Sequence, residues 1–313
     1  MKESIKILLK EYQVRKTIKQ KQAFVAWLRE HLSVYGYVLR EEKYSKSGNN
    51  LLVGNAVAAE VVLTAHYDTP PNYFFPVVMG FSNWLSLFLS QIIILLPLGL
   101  YYALYFCFIA PFLRGSFLSF FFNLPPLIYG FQILCGAANR HTANDNTSGV
   151  AVLISVLEKI PEEERKKVCV VFFDQEELGL VGSKYFYAKY KKAMQNKPLI
   201  NFDCVSDGDT LTIVVKKKCK DTLYFEALTK AVAEAVQGTG KTSRFADALW
   251  NVYCSDQLHF SHGVGVVAAK KAPVFGYYIN RIHSGWDTKF DNENIEIITA
   301  AMLQFIRTLP GKA

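Results

Sequence analysis

An α/β fold with a mixed, mostly parallel central sheet flanked by helices is the expectation, and three observations carry it. Segments 60–65 (EVVLTA), 168–173 (VCVVFF) and 198–202 (PLINF) are apolar at nearly every position rather than at every second one. That is the pattern of strands covered on both faces of a sheet. Segments of helical period alternate with them. Histidines or carboxylates then follow the carboxyl ends of these strands, the rim at which open α/β sheets hold their ligands.

The chain of 313 residues is long enough to bury a full core, as one large domain or two small ones. Its net charge of +8 and pI near 9.0 raise nucleic acid as a partner, but the lysines are scattered and no nucleic-acid motif is present. Attraction to an anionic membrane face accounts for the excess better. Six cysteines show no CxxC pairing and no regular framework, which reads as reduced packing residues of a cytosol-facing protein. The opening MKESIKILLKEYQVRKTIKQK carries a charge every few residues and is expected not to be a signal peptide.

Taken in order, residues 17–34 set Phe24, Trp27, Leu28 and Leu32 at helical spacing among lysines and Arg29, an amphipathic surface helix ended by Gly36. Strands are expected at 37–40 and, after the Ser47-Gly48-Asn49-Asn50 turn, at 51–53. Segment 60–65 delivers His66-Tyr67-Asp68-Thr69. Helix 150–159 follows a loop in which Asn146, Thr147 and Ser148 are all possible caps. Strand 168–173 then breaks into Asp174-Gln175-Glu176-Glu177, and a basic helix is expected at 184–194. Strands at 198–202, 211–215 and 273–279 and helices at 222–236 and 292–309 complete the chain, the last strand ending just before His283.

From Asn72 to Asn139 the only formal charge is Arg114. A bilayer core needs about 20 apolar residues per helix, so segments 77–113 and 117–135 have room for two spans with Arg114-Gly115-Ser116 at the tip. A turn at Pro97–Gly99 competes with the long first span. A buried core hairpin is the soluble alternative, but soluble helices seldom run so far without a charge on any face. The expected organisation is a catalytic domain formed by 1–72 and 136–313, interrupted by a two-helix transmembrane hairpin at 73–135 that contacts the lipid bilayer. Lysines and arginines in the first sixty residues favour an integral protein of the cell membrane with its catalytic body in the cytoplasm.

His66, Asp145, Glu176/Glu177, Asp203 and His283 all fall at strand ends or the loops beyond them. These nitrogen and oxygen donors suit zinc, and they exceed what one four-coordinate ion uses. Two ions about 3.5–4 Å apart, sharing a carboxylate, fit the set and are an arrangement used for hydrolysis.

The motifs HYDT (66–69), NDNTSGV (144–150), FFDQEELGLVGS (172–183), NFD (201–203), SDQLHF (255–260) and HSGWDT (283–288) resemble the co-catalytic zinc peptidases of family M28, which include leucyl aminopeptidases and glutamate carboxypeptidase-like enzymes. The resemblance covers nearly all the chain except the insert and the N-terminal helix, and implies a zinc aminopeptidase/phosphorylase-hydrolase-like fold. It also implies two Zn2+ per chain, with Co2+ or Mn2+ as alternatives: His66 and Asp203 on one, Glu177 and His283 on the other, and Asp145 bridging. Asp68 would brace His66. Glu176 would be the general base, taking a proton from a metal-bridging water and returning it to the leaving amine. A cis or distorted bond is expected at Asp145–Asn146.

Ile282 stands where some members carry a tyrosine that donates to the oxyanion, leaving Arg281, Tyr277 and Tyr278 as candidates for that role. Asp256 and Phe260 match a substrate-side segment only loosely, Asp287 is expected to brace His283, and His259 and His262 read as wall or surface residues. The implied activity is exopeptidase hydrolysis of peptides, most readily as an aminopeptidase. Because the insert enters between Asp68 and Asp145, amphipathic aminoacyl or lipid amides are alternative substrates. A scaffold of the same fold without catalysis, and the one-zinc glutaminyl-cyclase branch, are the competing classes; intact ligand positions and His66 speak against them.

Overall fold

The computed structural model describes residues 1–113, 116–273 and 275–310. Among the described residues ten strands form one mixed sheet: β1 (Arg40–Lys43), β2 (Asn49–Val53), β3 (Val61–His66), β4 (Val77–Gly80), β5 (Val168–Phe173), β6 (Leu199–Phe202), β7 (Thr210–Val215), β8 (Thr242–Asp247), β9 (Gly263–Ala272) and β10 (Gly276–Ile282). Their order is β1-β2-β5-β3-β6-β9-β10-β4, with β7 also on β9 and β8 on β7. At the centre β5, β3, β6 and β9 run parallel. His66 pairs with Phe173 and Thr64 with Asn201. That register brings the Glu176–Glu177 turn and Asp203 to the rim where His66 ends.

Both faces of the central strands are covered, which is why their sequences do not alternate. Val168, Val170 and Phe172 enter a core with helices Glu3–Glu11, Ile18–Ser33, Gly149–Lys159, Leu223–Val236 and Asn292–Thr308. Cys169, Val171 and Phe173 enter a second core against Phe186, Met194 and Phe260. Thr17 and Gln20 form a capping box that starts the second helix.

Several elements differ from expectation. Helix Glu3–Glu11 buries Ile5 and Leu8 although charged residues surround them. The first strand lies at Arg40–Lys43 rather than 37–40, the basic helix at Val181–Tyr190 rather than 184–194, and the last strand at Gly276–Ile282 rather than 273–279. β8 and β9 were not expected. β9 is the branch point: its first part takes β6 on one side and β7 on the other, and its last residues, Lys270–Ala272, take β10 where β6 has ended.

β10 in turn pairs with β4, so Val77–Gly80, inside the range assigned to the insert, belongs to the sheet of the catalytic body. Apolarity hid this boundary, because a buried edge strand and a membrane span read alike in composition. Beyond β4 rise helices Trp84–Leu113 and Leu118–Cys135, both long and apolar enough to cross a membrane; the apolar window of each contains no buried residue. The first runs through Pro97 without a turn. Of the expected tip, Arg114 and Gly115 lie outside the described residues. A bridge between Pro71 and Ala138, and a hydrogen bond from the Gln132 amide to the Asn72 carbonyl, close the neck of the hairpin.

Candidate metal centre

The rim of the sheet gathers all the residues expected there. β3 supplies His66, the turn after β5 Glu176 and Glu177, the end of β6 Asp203, the loop before helix Gly149–Lys159 Asp145, and the residue after β10 His283. Three sets, His66/Glu176/Glu177, His66/Asp145/Asp203 and Asp145/Glu177/His283, each hold their ligand atoms within 4.8 Å of one another. Asp145 is central: its Oδ1 lies 3.4 Å from His66 Nε2 and its Oδ2 3.0 Å from His283 Nε2. His66 Nε2 is also 3.6 Å from Asp203 Oδ1, and His283 Nε2 is 3.4 Å from Glu177 Oε2.

Local backbone supports this gathering. Gln175, Cys204 and His283 adopt left-handed φ of 59°, 53° and 55°, an uncommon conformation for such residues. They precede, follow or are members of the cluster. Asp68 Oδ1 and Oδ2 accept the backbone N–H groups of Glu176 (3.1 Å) and Glu177 (3.2 Å). His66 Nδ1 lies 3.1 Å from the Asp68 carbonyl and 3.6 Å from its carboxylate, so Asp68 touches both the imidazole and the glutamate turn. Asp287 does not brace His283 by a hydrogen bond. Its carboxylate accepts from the backbone N–H groups of Asn144 (2.8 Å) and Asp145 (2.9 Å). The Asp145–Asn146 peptide is cis. Gly149 is required beside it, since a Cβ there would sit 2.3 Å from the Phe202 carbonyl oxygen.

Arg15 is a residue that the sequence reading missed. Fully buried, it donates from its backbone N–H to Thr69 Oγ1 (2.9 Å), from Nε to the Tyr67 carbonyl (2.5 Å), and from its terminal nitrogens to Thr147 Oγ1 (3.2 Å each). It thus stitches together the loops carrying His66 and Asp145. Nothing in its surroundings, a run of scattered basic residues, marks it from the rest.

The charges are crowded. Burial pushes the Glu176 and Glu177 carboxyls well above the ordinary range, and neighbouring carboxylates add to it. Burial disfavours protonated His66, yet Glu176, Asp145, Asp203 and Asp68 together raise it well above its usual value. Burial also pushes Asp145 upward, but hydrogen bonds with His283 and His66 outweigh it and hold that carboxyl below the ordinary range. Asp256, buried close by, is pushed up to about 7, chiefly by burial. Buried carboxylates at this density call for compensating cations. Asp203 Oδ1, Glu177 Oε1 and His283 Nδ1 are buried without a hydrogen-bond partner among the described residues. Unpartnered oxygens and imidazole nitrogens, with no sulfur in any of the three ligand sets, fit zinc or a similar divalent ion.

A cavity of about 230 Å³ opens on the cluster. Its lining also includes the apolar side chains Val77, Met79, Ile94, Ile279 and Ile282. Tyr73 also lines it, its ring edge-on to His283 with centroids 4.9 Å apart. Of the residues expected to supply an oxyanion donor, Arg281 is held by Asp207 (3.0 and 2.8 Å) and Tyr277 lies under Arg244 (4.0 Å). His31 pairs with Glu158 (2.8 Å), while His141, His259 and His262 belong to none of the three ligand sets.

The model of peptidase family M28 matches residues 130–306. Solved structures share the fold. A Zn-dependent exopeptidase from Parabacteroides distasonis superposes with a TM-score of 0.56 at 14% identity, covering 95% of this chain and 92% of that one. The LapA aminopeptidase of Legionella pneumophila gives 0.54 at 14% identity, covering 97% and 69%. A glutaminyl cyclase of Bacteroides thetaiotaomicron gives 0.59 at 15% identity, covering 98% and 97%. No curated protein matches the sequence.

Proposed function

The chain belongs to peptidase family M28, and from that premise we propose that it is a membrane-anchored di-zinc exopeptidase of the aminopeptidase type. The observation that carries the reading is Asp145, whose two oxygens face two different imidazoles at 3.4 and 3.0 Å, the disposition of a carboxylate shared by two ions. His66 and Asp203 would hold one zinc, Glu177 and His283 the other. Ions held there would supply polarisation of the scissile carbonyl and acidification of an attacking water. Glu176, half-buried and with its carboxyl pKa raised by desolvation and neighbouring carboxylates, would accept the proton of that water and pass it to the leaving amine. Asp68 fixes the backbone of Glu176 and Glu177, and Asp287 that of Asp145, so the acid–base group and the bridging group are each held by a separate carboxylate.

Helices Trp84–Leu113 and Leu118–Cys135 would cross the cell membrane and return, leaving the body and its basic N-terminal segment on the cytoplasmic side. One observation favours amphipathic amides among the substrates: the first of these helices supplies part of the cavity wall. Glu176→Gln tests the activity. Turnover of aminoacyl amides is expected to fall about 10²–10⁴-fold with metal content unchanged; turnover unchanged in this variant would refute the assignment of Glu176 as the base.

A further inference from the structure

The insert reaches into the catalytic cavity with one polar side chain. Gln91 and Ile94, on helix Trp84–Leu113, line the same cavity as His66, Glu176 and His283. Between Trp84 and Leu113 the chain contains no charged residue, and Gln91 is its single side-chain amide. Gln91 is exposed at the cavity and no hydrogen bond joins its amide to any described residue, so both its donor and its acceptor are free to meet a ligand there.

Its orientation is set by its neighbours. Ser90, fully buried, accepts from the Gly80 N–H of β4 (2.7 Å) and donates to the Ser86 carbonyl (2.7 Å). This locks the start of the helix onto the edge of the catalytic sheet. Residues three apart share a helix face, so Gln91 and Ile94 are presented together. On the next turn Tyr129 of the second hairpin helix donates to the Ile94 carbonyl (3.1 Å) and holds that level in place. At about 1.5 Å per residue, Ile94 stands roughly 15 Å along the axis from Trp84, so the cavity lies at the head of the hairpin and not deep along it.

We infer that the hairpin is a working wall of the substrate site, in which Gln91 hydrogen-bonds the backbone amide of a peptide or aminoacyl amide while Ile94, with Met79 and Val77 of β4, receives an apolar side chain. The inference rests on the exopeptidase reading. Gln91 pairs with substrate and with nothing else, so its loss weakens binding and leaves the ion-holding and proton-transferring residues as they are.

The test uses the full-length protein in detergent or proteoliposomes, with alanyl, leucyl and phenylalanyl amides as probes. Gln91→Leu, which suits the span, is expected to raise KM about tenfold for all three, with kcat within about twofold and metal content unchanged. Ile94→Ala is expected to shift the ratio of kcat/KM for phenylalanyl over alanyl amide by at least about fivefold. Should the leucine variant fail to integrate, Gln91→Asn keeps the amide, shortens it, and raises KM in the same way. Wild-type KM in a folded, metal-loaded Gln91 variant together with wild-type selectivity at position 94 overturns the inference while leaving the peptidase reading intact. A wild-type protein that turns over none of the amides with zinc, cobalt or manganese supplied brings down both.

Discussion

β5 and helix Trp84–Leu113 are both apolar almost throughout, and the fold treats them in opposite ways. Every residue of β5 is buried, between helices on one face and Phe186 and Phe260 on the other. Along the hairpin Trp84, Phe88, Phe108 and Phe112 are exposed, Phe112 at 86%. A run of apolar residues therefore demands an apolar surrounding but does not say what supplies it. For β5 the chain itself supplies it; for the hairpin nothing among the described residues covers these side chains, and on the proposed reading a bilayer does.

Charges placed in each region should separate the two cases. Val170→Asp puts an unpaired carboxylate at the centre of a doubly covered strand, and a loss of more than about 4 kcal/mol is expected, read as failure to give a folded, metal-binding body. Leu96→Arg, on the exposed flank of the first hairpin helix, should leave the thermal melting of the detergent-solubilised body unchanged. Membrane integration, measured by carbonate extraction, is expected to become less favourable by about 2.5–3.5 kcal/mol. Equal damage to the body by both substitutions would mean that the hairpin is packed core.

The smallest effect is expected at a polar clamp of the body. Glu158, with its side chain 3% exposed, takes Lys2 (2.5 Å) and His31 (2.8 Å) and ties both N-terminal helices to Gly149–Lys159. Burial pushes its carboxyl upward, but His31 and Lys2 prevail and lower it from 4.5 to about 2. A carboxylate whose pKa is depressed by folding stabilises the fold above its unfolded value and ceases to as pH falls through the folded one. Glu158→Gln should thus cost about 1–3 kcal/mol at neutral pH, and the gap from wild type should close between pH 4.5 and 2 in chemical denaturation.

What was legible in the chain follows the same contrast. The central strands β3, β5 and β6 read clearly because burial on both faces leaves no polar position, and each delivers its ligand within a few residues. β9 escaped notice because Gly263 and Gly265 break its apolar run and Lys270 and Lys271 end it. Gly265 is there for close packing, since a Cβ would meet the Gln257 side chain at 2.9 Å. β8, TSRFAD, is half-polar, and β4 was absorbed into the apolar insert. The N-terminal helix was masked by its charges. Arg15, Tyr73 and Gln91 could not be found without the fold, because their meaning lies in which distant loop or cavity they reach.

Anomalous diffraction at the zinc edge from crystals of the full chain addresses the shared-carboxylate centre itself. Two peaks are expected on either side of Asp145, one beside His66 and Asp203 and the other beside Glu177 and His283. A single peak, or none with these side chains in place, would contradict a two-ion hydrolase.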